Sequence, residues 1–145
     1  MPEFHLDHGT PEAARVYASL DEFTQGYIEA MFFTDCNTDN EELADASFAE
    51  LAPDALERIK QTCERFQTKH AALLEQAYGQ RGKYEDSAYD ATKAGRDYWY
   101  TSNGHGTGFW DRGLEAIGDA LTEATKYPYA NVDLYRGDDE LIHIG

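Results

Sequence analysis

The sequence predicts an α+β fold, with a mostly helical N-terminal half and a small antiparallel β-sheet toward the C-terminus. Three observations lead there. Leu56, Ile59, Cys63, Phe66, His70, Leu73 and Ala77 repeat at alternating spacings of three and four, the period of one helix face. Two capping-box patterns, Ser19 to Glu22 and Ser47 to Glu50, mark helix starts upstream. Near the end, Asn131–Arg136 and Glu140–Ile144 alternate or run apolar around Gly137-Asp138-Asp139, which reads as a hairpin.

Taken in order, residues 1–18 admit three readings: a flexible arm, a short helix opening at Thr10-Pro11, or a strand around Arg15–Ala18. With Ser19 as N-cap, a helix is expected from Leu20 to Phe33, with Phe23, Tyr27, Ile28 and Met31 inward. Gly26 weakens it by up to about 1 kcal/mol relative to Ala. Thr34–Ala46 is a polar acidic loop, and Ser47–Glu50 a short helical turn. Pro53 then opens a helix at N1 that continues to Tyr78 and is capped by Gly79. Its stripe is that of a core-facing helix, with homodimer pairing through residues 53–78 as the alternative.

Residues 80–86 form a loop, followed by a helix from Asp86 to Ala94 that Gly95 ends. Asp97–Ser102 has the aromatic content of a strand. A glycine-punctuated turn, Asn103–Gly108, leads to a helix over Leu114–Lys126 that buries Leu114, Ile117, Leu121 and Ala124 and stops at Pro128.

At 145 residues the chain reads as a single domain. An aromatic content of 13% is too high for a disordered acidic tail. There is no membrane-length apolar run and no secretory leader pattern, so Cys36 and Cys63 are expected as reduced thiols in a cytoplasmic protein.

Charge is the most unusual feature. Residues 1–57 hold fourteen Asp/Glu and one base, Arg15, for a net −13, whereas residues 58–145 are only −3. Solubility of a small domain needs a magnitude of only about 2–8. The excess costs self-repulsion and points to a basic protein partner, while excluding direct binding to nucleic acid or anionic lipid. The expected partner-binding residues are Asp35, Asp39, Glu41, Glu42, Asp45, Glu50, Asp54 and Glu57, against the plainer reading of a solvated face.

Other segments offer weaker chemistry. Asn103, His105, Asp111 and Arg112 frame a glycine-rich loop that could hold an anion or place an acid/base, or simply make a tight connection. The loop lacks the lysine and hydroxyl of a P-loop, the GxGxxG spacing and a GxSxG elbow. Asp35, Asn37 and Asp39 imitate the first half of a calcium loop, but Asn40 and Ala46 stand where Gly and the bidentate Glu belong. His5, Asp7 and His8 offer three possible ligands without a fourth. His70 and His143 read as packed structural residues. No metal, cofactor or catalytic group is assigned, and a non-enzymatic role is favoured over an enzymatic one.

The segment from Asp97 to Gly113, with its Asn-Gly-His-Gly loop followed by Gly-Phe-Trp-Asp-Arg-Gly, resembles a motif of uncharacterised bacteriophage and prophage proteins. The likeness extends through 118–124 and 134–139, and upstream to Leu51–Leu56, Cys63 and Phe66. It covers about two thirds of the chain, from about Leu43 onward. It implies a phage or mobile-element product acting in the bacterial host cytoplasm and brings no assigned activity. By analogy with acidic phage inhibitors, the expected function is inhibition of a host nucleic-acid-binding defence protein, such as a restriction enzyme or CRISPR effector, through a DNA-mimicking surface. A small enzyme or nucleotide-binding protein using the loop around His105, and a phage assembly protein, are the alternatives.

Overall fold

The computed structural model describes residues 6–36, 43, 46–80, 88–103, 108–109, 112, 114–125 and 134–144. They form an α+β fold, mostly helical, with a two-stranded antiparallel sheet at the C-terminal end.

Of the three readings of the N-terminal region, the helix holds for Pro11–Ser19 (α1). Thr10 caps it, its hydroxyl accepting from Ala13 N–H at 3.0 Å, and Pro11 occupies the position where a missing N–H costs nothing. Residues 7–8 are docked. The carbonyls of Asp7 and His8 accept from the N–H groups of Phe48 and Ala49. Tyr17 buries its ring against Phe48.

Helix α2 spans Glu22–Asp35, two residues later than expected. Its cap is Asp21, whose carboxylate accepts from Thr24 N–H at 2.7 Å, not Ser19. Ser19 is the last residue of α1 and donates its hydroxyl to Val16 O, while Leu20 is extended between the helices. An ionised cap makes the stronger, charge-assisted bond. The predicted apolar residues Phe23, Tyr27, Ile28 and Met31 are all buried, and so are Ala30 and Phe32, so α2 is the central helix.

Phe48–Glu50 form a 3-10 turn, with Ser47 N–H donating to the Glu50 carboxylate at 2.6 Å as its sequence pattern anticipates. Pro53 then opens α3 (Pro53–Lys69). The predicted single helix to Tyr78 is broken at His70, where φ −118° and ψ 28° leave the helical range, and α4 (Ala71–Ala77) follows. The break redirects α4 so that Leu74 and Ala77 pack inward where α4 meets α6. Ala55, Ile59, Cys63 and Phe66 face the chain's own core, as the core-facing reading of the stripe expects. Gly79, at φ +85°, ends α4 as anticipated.

The largest departure from expectation is α5 (Ala91–Ser102). It runs straight through Gly95 and includes Asp97–Ser102, which had the composition of a strand. Tertiary packing explains both errors. A Cβ at Gly95 would lie 1.8 Å from Phe23 O, and one at Gly26 would lie 2.0 Å from Thr92 O. The two glycines let α2 and α5 cross backbone to backbone, and the helix buries Tyr98, Trp99 and Tyr100. Burial on a central helix overrides the strand preference of the aromatic residues. Tyr98 stacks on Phe66 at 4.2 Å and meets Phe23 and Tyr27.

Helix α6 covers Ala116–Thr125, preceded by Glu115 at φ 57°, so it starts two residues after the expected Leu114. Leu114 and Leu121 are buried, and Ile117 and Ala124 half-buried. The end expected at Lys126 and Pro128 and residues 81–86 of the expected loop lie outside the described residues. The helix expected from Asp86 begins only at Ala91, because Asp90 caps it, its carboxylate accepting from Lys93 N–H at 2.9 Å, and residues 88–90 are not helical.

The hairpin pairs β1 (Leu134–Arg136) with β2 (Ile142–Ile144), Tyr135 opposite His143. Residues 131–133 of the expected first strand lie outside the described residues. The left-handed turn position is Glu140 at φ 67°, not the glycine, so the second strand begins at Ile142 rather than Glu140. The hairpin docks on the start of α3. Ala52 N–H donates to Ile142 O, and the Arg58 guanidinium donates to Ile144 O, both at 2.9 Å.

Candidate binding surface

The expected acidic residues divide into three groups. Asp39, Glu41, Glu42 and Asp45 lie outside the described residues, as does the side chain of Asp35. Asp54 and Glu57 project from the first two turns of α3, exposed, where a helix N-terminus favours negative charge. Glu50 is internally engaged. It closes the turn at Ser47 and accepts from Arg136 at 3.0 Å. Although partial burial works the other way, the Ser47 N–H and the Arg136 guanidinium hold its carboxyl below the usual range.

The fold adds acids that sequence reasoning placed only in a turn. Docking of the hairpin sets exposed Asp138, Asp139 and Glu140 at the same end as Glu50 and Asp54. His143 joins the two groups: its Nε2 is 3.0 Å from both Asp139 carboxylate oxygens, and its Nδ1 is 3.8 Å from Asp54 Oδ1. The signal in the sequence was the run Asp138-Asp139-Glu140, but its neighbours in space could not be read from it. Exposed Asp7, Glu12, Asp21 and Glu22 extend negative charge over the α1 and α2 starts. Asp21 also works as a cap. Despite partial burial, the Thr24 hydroxyl and N–H and the Gln67 amide keep its carboxyl below the usual range. From Arg58 onward the outer face of α3 is mixed, with Arg58, Lys60, Arg65 and Lys69 interleaved with Glu64.

Two carboxylates do structural work instead. Glu29 on α2 accepts from Arg96 of α5 at 2.7 Å and from the Tyr17 hydroxyl at 2.6 Å. Burial, then the bond to Glu29, pushes the Tyr17 phenol well up. Asp97 is 1% exposed and accepts from Arg112 at 2.8 Å and from the Tyr89 hydroxyl at 2.6 Å. Burial and the adjacent Asp97 raise the Tyr89 phenol. A single acid beside Tyr-Trp-Tyr was the sequence sign of a buried, paired charge, and reading that run as a strand concealed it.

This changes the reading of the glycine loop. Arg112 is a structural anchor to α5, and the Asn103 amide donates to Trp99 O at 2.9 Å at the C-terminal end of that helix. His105 and Asp111 lie outside the described residues. Phe109 and Leu114 are fully packed on either side of Arg112. At the N-terminus, the His8 ring lies 4.7 Å from that of Tyr17 and Asp7 accepts from Gly9 N–H, while His5 is outside the described residues. Among the described residues no three His, Cys, Asp or Glu side chains gather to hold a metal ion, and no helix is long and apolar enough to cross a membrane.

Comparison with protein-family models, with curated proteins and with solved structures gives no match.

Proposed function

We propose that this chain is a non-enzymatic, phage-type inhibitor that presents a nucleic-acid-like negative surface to a basic groove of a host defence protein in the bacterial cytoplasm. The observation that carries the reading is the segregation of charge: fourteen acids and one base in residues 1–57. The structure adds a physical reason to take it as a surface. The half-buried acids of that segment, Glu29 and Glu50, draw arginines from the later part of the chain, whereas Asp7, Glu12, Asp21, Glu22, Asp54 and Glu57 are exposed. Carboxylates spread over helix starts and a hairpin turn can replace phosphates against a positive groove, raising association rate and excluding wrong partners.

The test is a pull-down from bacterial lysate with the wild-type chain and a Glu41→Lys, Glu42→Lys, Asp45→Lys variant, eluted along a salt gradient. The expected partner is a basic nucleic-acid-binding protein. It elutes as salt rises, because a Debye length of about 8 Å at physiological ionic strength already screens distant charges. The variant is expected to keep its circular dichroism spectrum and lose the partner. Binding that is unchanged by salt and by charge reversal rejects the proposal.

A further inference from the structure

We propose that the outer face of the β1–β2 hairpin is an arginine-docking surface, where a guanidinium of a basic protein partner stacks on Tyr135 and pairs with the carboxylates around it. The inference deepens the reading of an acidic surface given above and rests on the basic partner it names.

Strand alternation separates the two faces of the hairpin. Ile142 and Ile144 turn inward and are buried, whereas Tyr135 and its cross-strand neighbour His143 stand on the other face. Tyr135 is 47% exposed, the most exposed aromatic ring among the described residues, so this face has no cover within the chain. The ring is nonetheless held in place. His143 stacks on it, with centroids 5.6 Å apart and planes 23° from parallel. Nε2 of His143 in turn lies 3.0 Å from both carboxylate oxygens of Asp139. A Cβ at Gly137 would come within 2.7 Å of the imidazole, so glycine in the turn leaves room for it. An aromatic side chain held this way offers contact area at little cost in lost freedom.

Charge selects the occupant. Asp138, Asp139 and Glu140 are exposed on the turn, and Asp54 of α3 brings Oδ1 within 3.8 Å of His143 Nδ1. Among the described residues no lysine or arginine pairs with any of these four carboxylates. The nearby arginines are engaged elsewhere, Arg58 with Ile144 O, and Arg136 with Glu50 and Glu140 O. The face of an aromatic ring carries negative potential, as the carboxylates do, so both attract a cation. Arginine fits better than lysine. Its planar guanidinium stacks on a ring, its fork can give a carboxylate two parallel N–H bonds, and it is more weakly hydrated. An anionic partner would meet like charge around the whole ring.

The experiment titrates the purified chain with two synthetic peptides, Gly-Arg-Gly-Arg-Gly-Arg and its lysine counterpart, at one low ionic strength. Calorimetry gives the two affinities, and NMR follows the Tyr135 ring. The arginine peptide is expected to bind about twofold to fivefold more tightly, the range of an exposed cation–π contact, and to shift the Tyr135 ring signals. Tyr135→Leu should bring the ratio of affinities to about one, and Tyr135→Phe should keep it. Asp138→Asn combined with Glu140→Gln should weaken both peptides to a similar degree. No host protein enters these measurements, so their failure leaves the lysate pull-down standing, and the pull-down variant leaves the hairpin unchanged. Equal affinities in the wild type, a preference that survives Tyr135→Leu, or binding indifferent to the turn charges overturns the proposal. So does a wild-type dimer in sedimentation that Tyr135→Leu dissolves, because a second copy then occupies the face.

Discussion

Two arginine–carboxylate pairs in this molecule have almost the same length and different physical meaning. Arg112 meets Asp97 at 2.8 Å, and Arg136 meets Glu50 at 3.0 Å. The first carboxylate is 1% exposed, the second 37%. Water screens the second pair and hydrates either partner when the other is removed. In the first, Asp97 lies inside the helical core with Tyr89 against its other oxygen. Losing its arginine there leaves a charge that cannot recover hydration. Burial, not distance, decides what each pair is worth. The core uses one charge where it fixes a loop, and the acidic end carries many where each contributes little to the fold.

The most damaging test strikes the scaffold beneath the first pair. Gly95 lies two residues before Asp97, at the crossing with α2. Gly95→Val should separate the helices, because its Cβ would meet backbone rather than a movable side chain. Overpacking of this kind costs about 3 kcal/mol or more. Thermal unfolding should show a fall of about 10 °C or a failure to fold. A wild-type melting temperature would mean that α2 and α5 do not cross at these glycines.

The pairs themselves can be compared next. Arg112→Met should cost about 3 kcal/mol, and Arg136→Met no more than about 1 kcal/mol, each measured by urea unfolding. Similar costs for the two would break the comparison, and would mean that the Asp97 site is wetter than its burial indicates.

The parts of the fold that were legible in the sequence share a property: their signals are local. Pro53 at a helix start, the Ser47–Glu50 box and Gly79 at φ +85° depend on neighbours within a few residues. So does the apolar stripe of α3. The misread element, α5, depends on a partner about seventy residues away. Gly95 looks like a stop signal unless Phe23 O is known to sit against it, and Tyr98-Trp99-Tyr100 looks like a strand unless three other helices surround it. The candidate surface follows the same division. Exposed Asp54 and Glu57 were readable as acids on a helix start. The internal bond of Glu50 to Arg136 and the approach of Asp139 to Asp54 through His143 required the fold.

A gentler perturbation is acid. Glu50 and Asp21 both have carboxyl groups held below their unfolded values. A depressed pKa adds stability above the unfolded pKa, and that stability disappears as pH falls through the folded value. Unfolding measured between pH 6 and pH 2.5 should therefore show stability falling below about pH 4. Asp21→Asn should flatten part of that fall while keeping a capping side chain. If the profile is unchanged in this variant, the Asp21 cap is not among the groups that make the fold acid-sensitive.

The smallest effect is at Glu140, and it separates charge from stability. Its φ of 67° lies in the left-handed region, which disfavours a residue with a Cβ. Glu140 is exposed, and its carbonyl, not its carboxylate, accepts from Arg136 at 2.8 Å. Glu140→Gly removes the steric strain and keeps that carbonyl, against a greater loss of chain entropy on folding. The balance should favour the variant by about 0.5 kcal/mol, a rise of about 1–2 °C. Glu140→Asn should fall between the two, since Asn tolerates this conformation better than Glu. Both variants also remove one negative charge from the acidic end. A protein that is slightly more stable yet binds the proposed basic partner more weakly, most clearly at low salt, would show that the acidic end acts through its charge. Lower stability in both variants would mean that the turn does not hold Glu140 at positive φ.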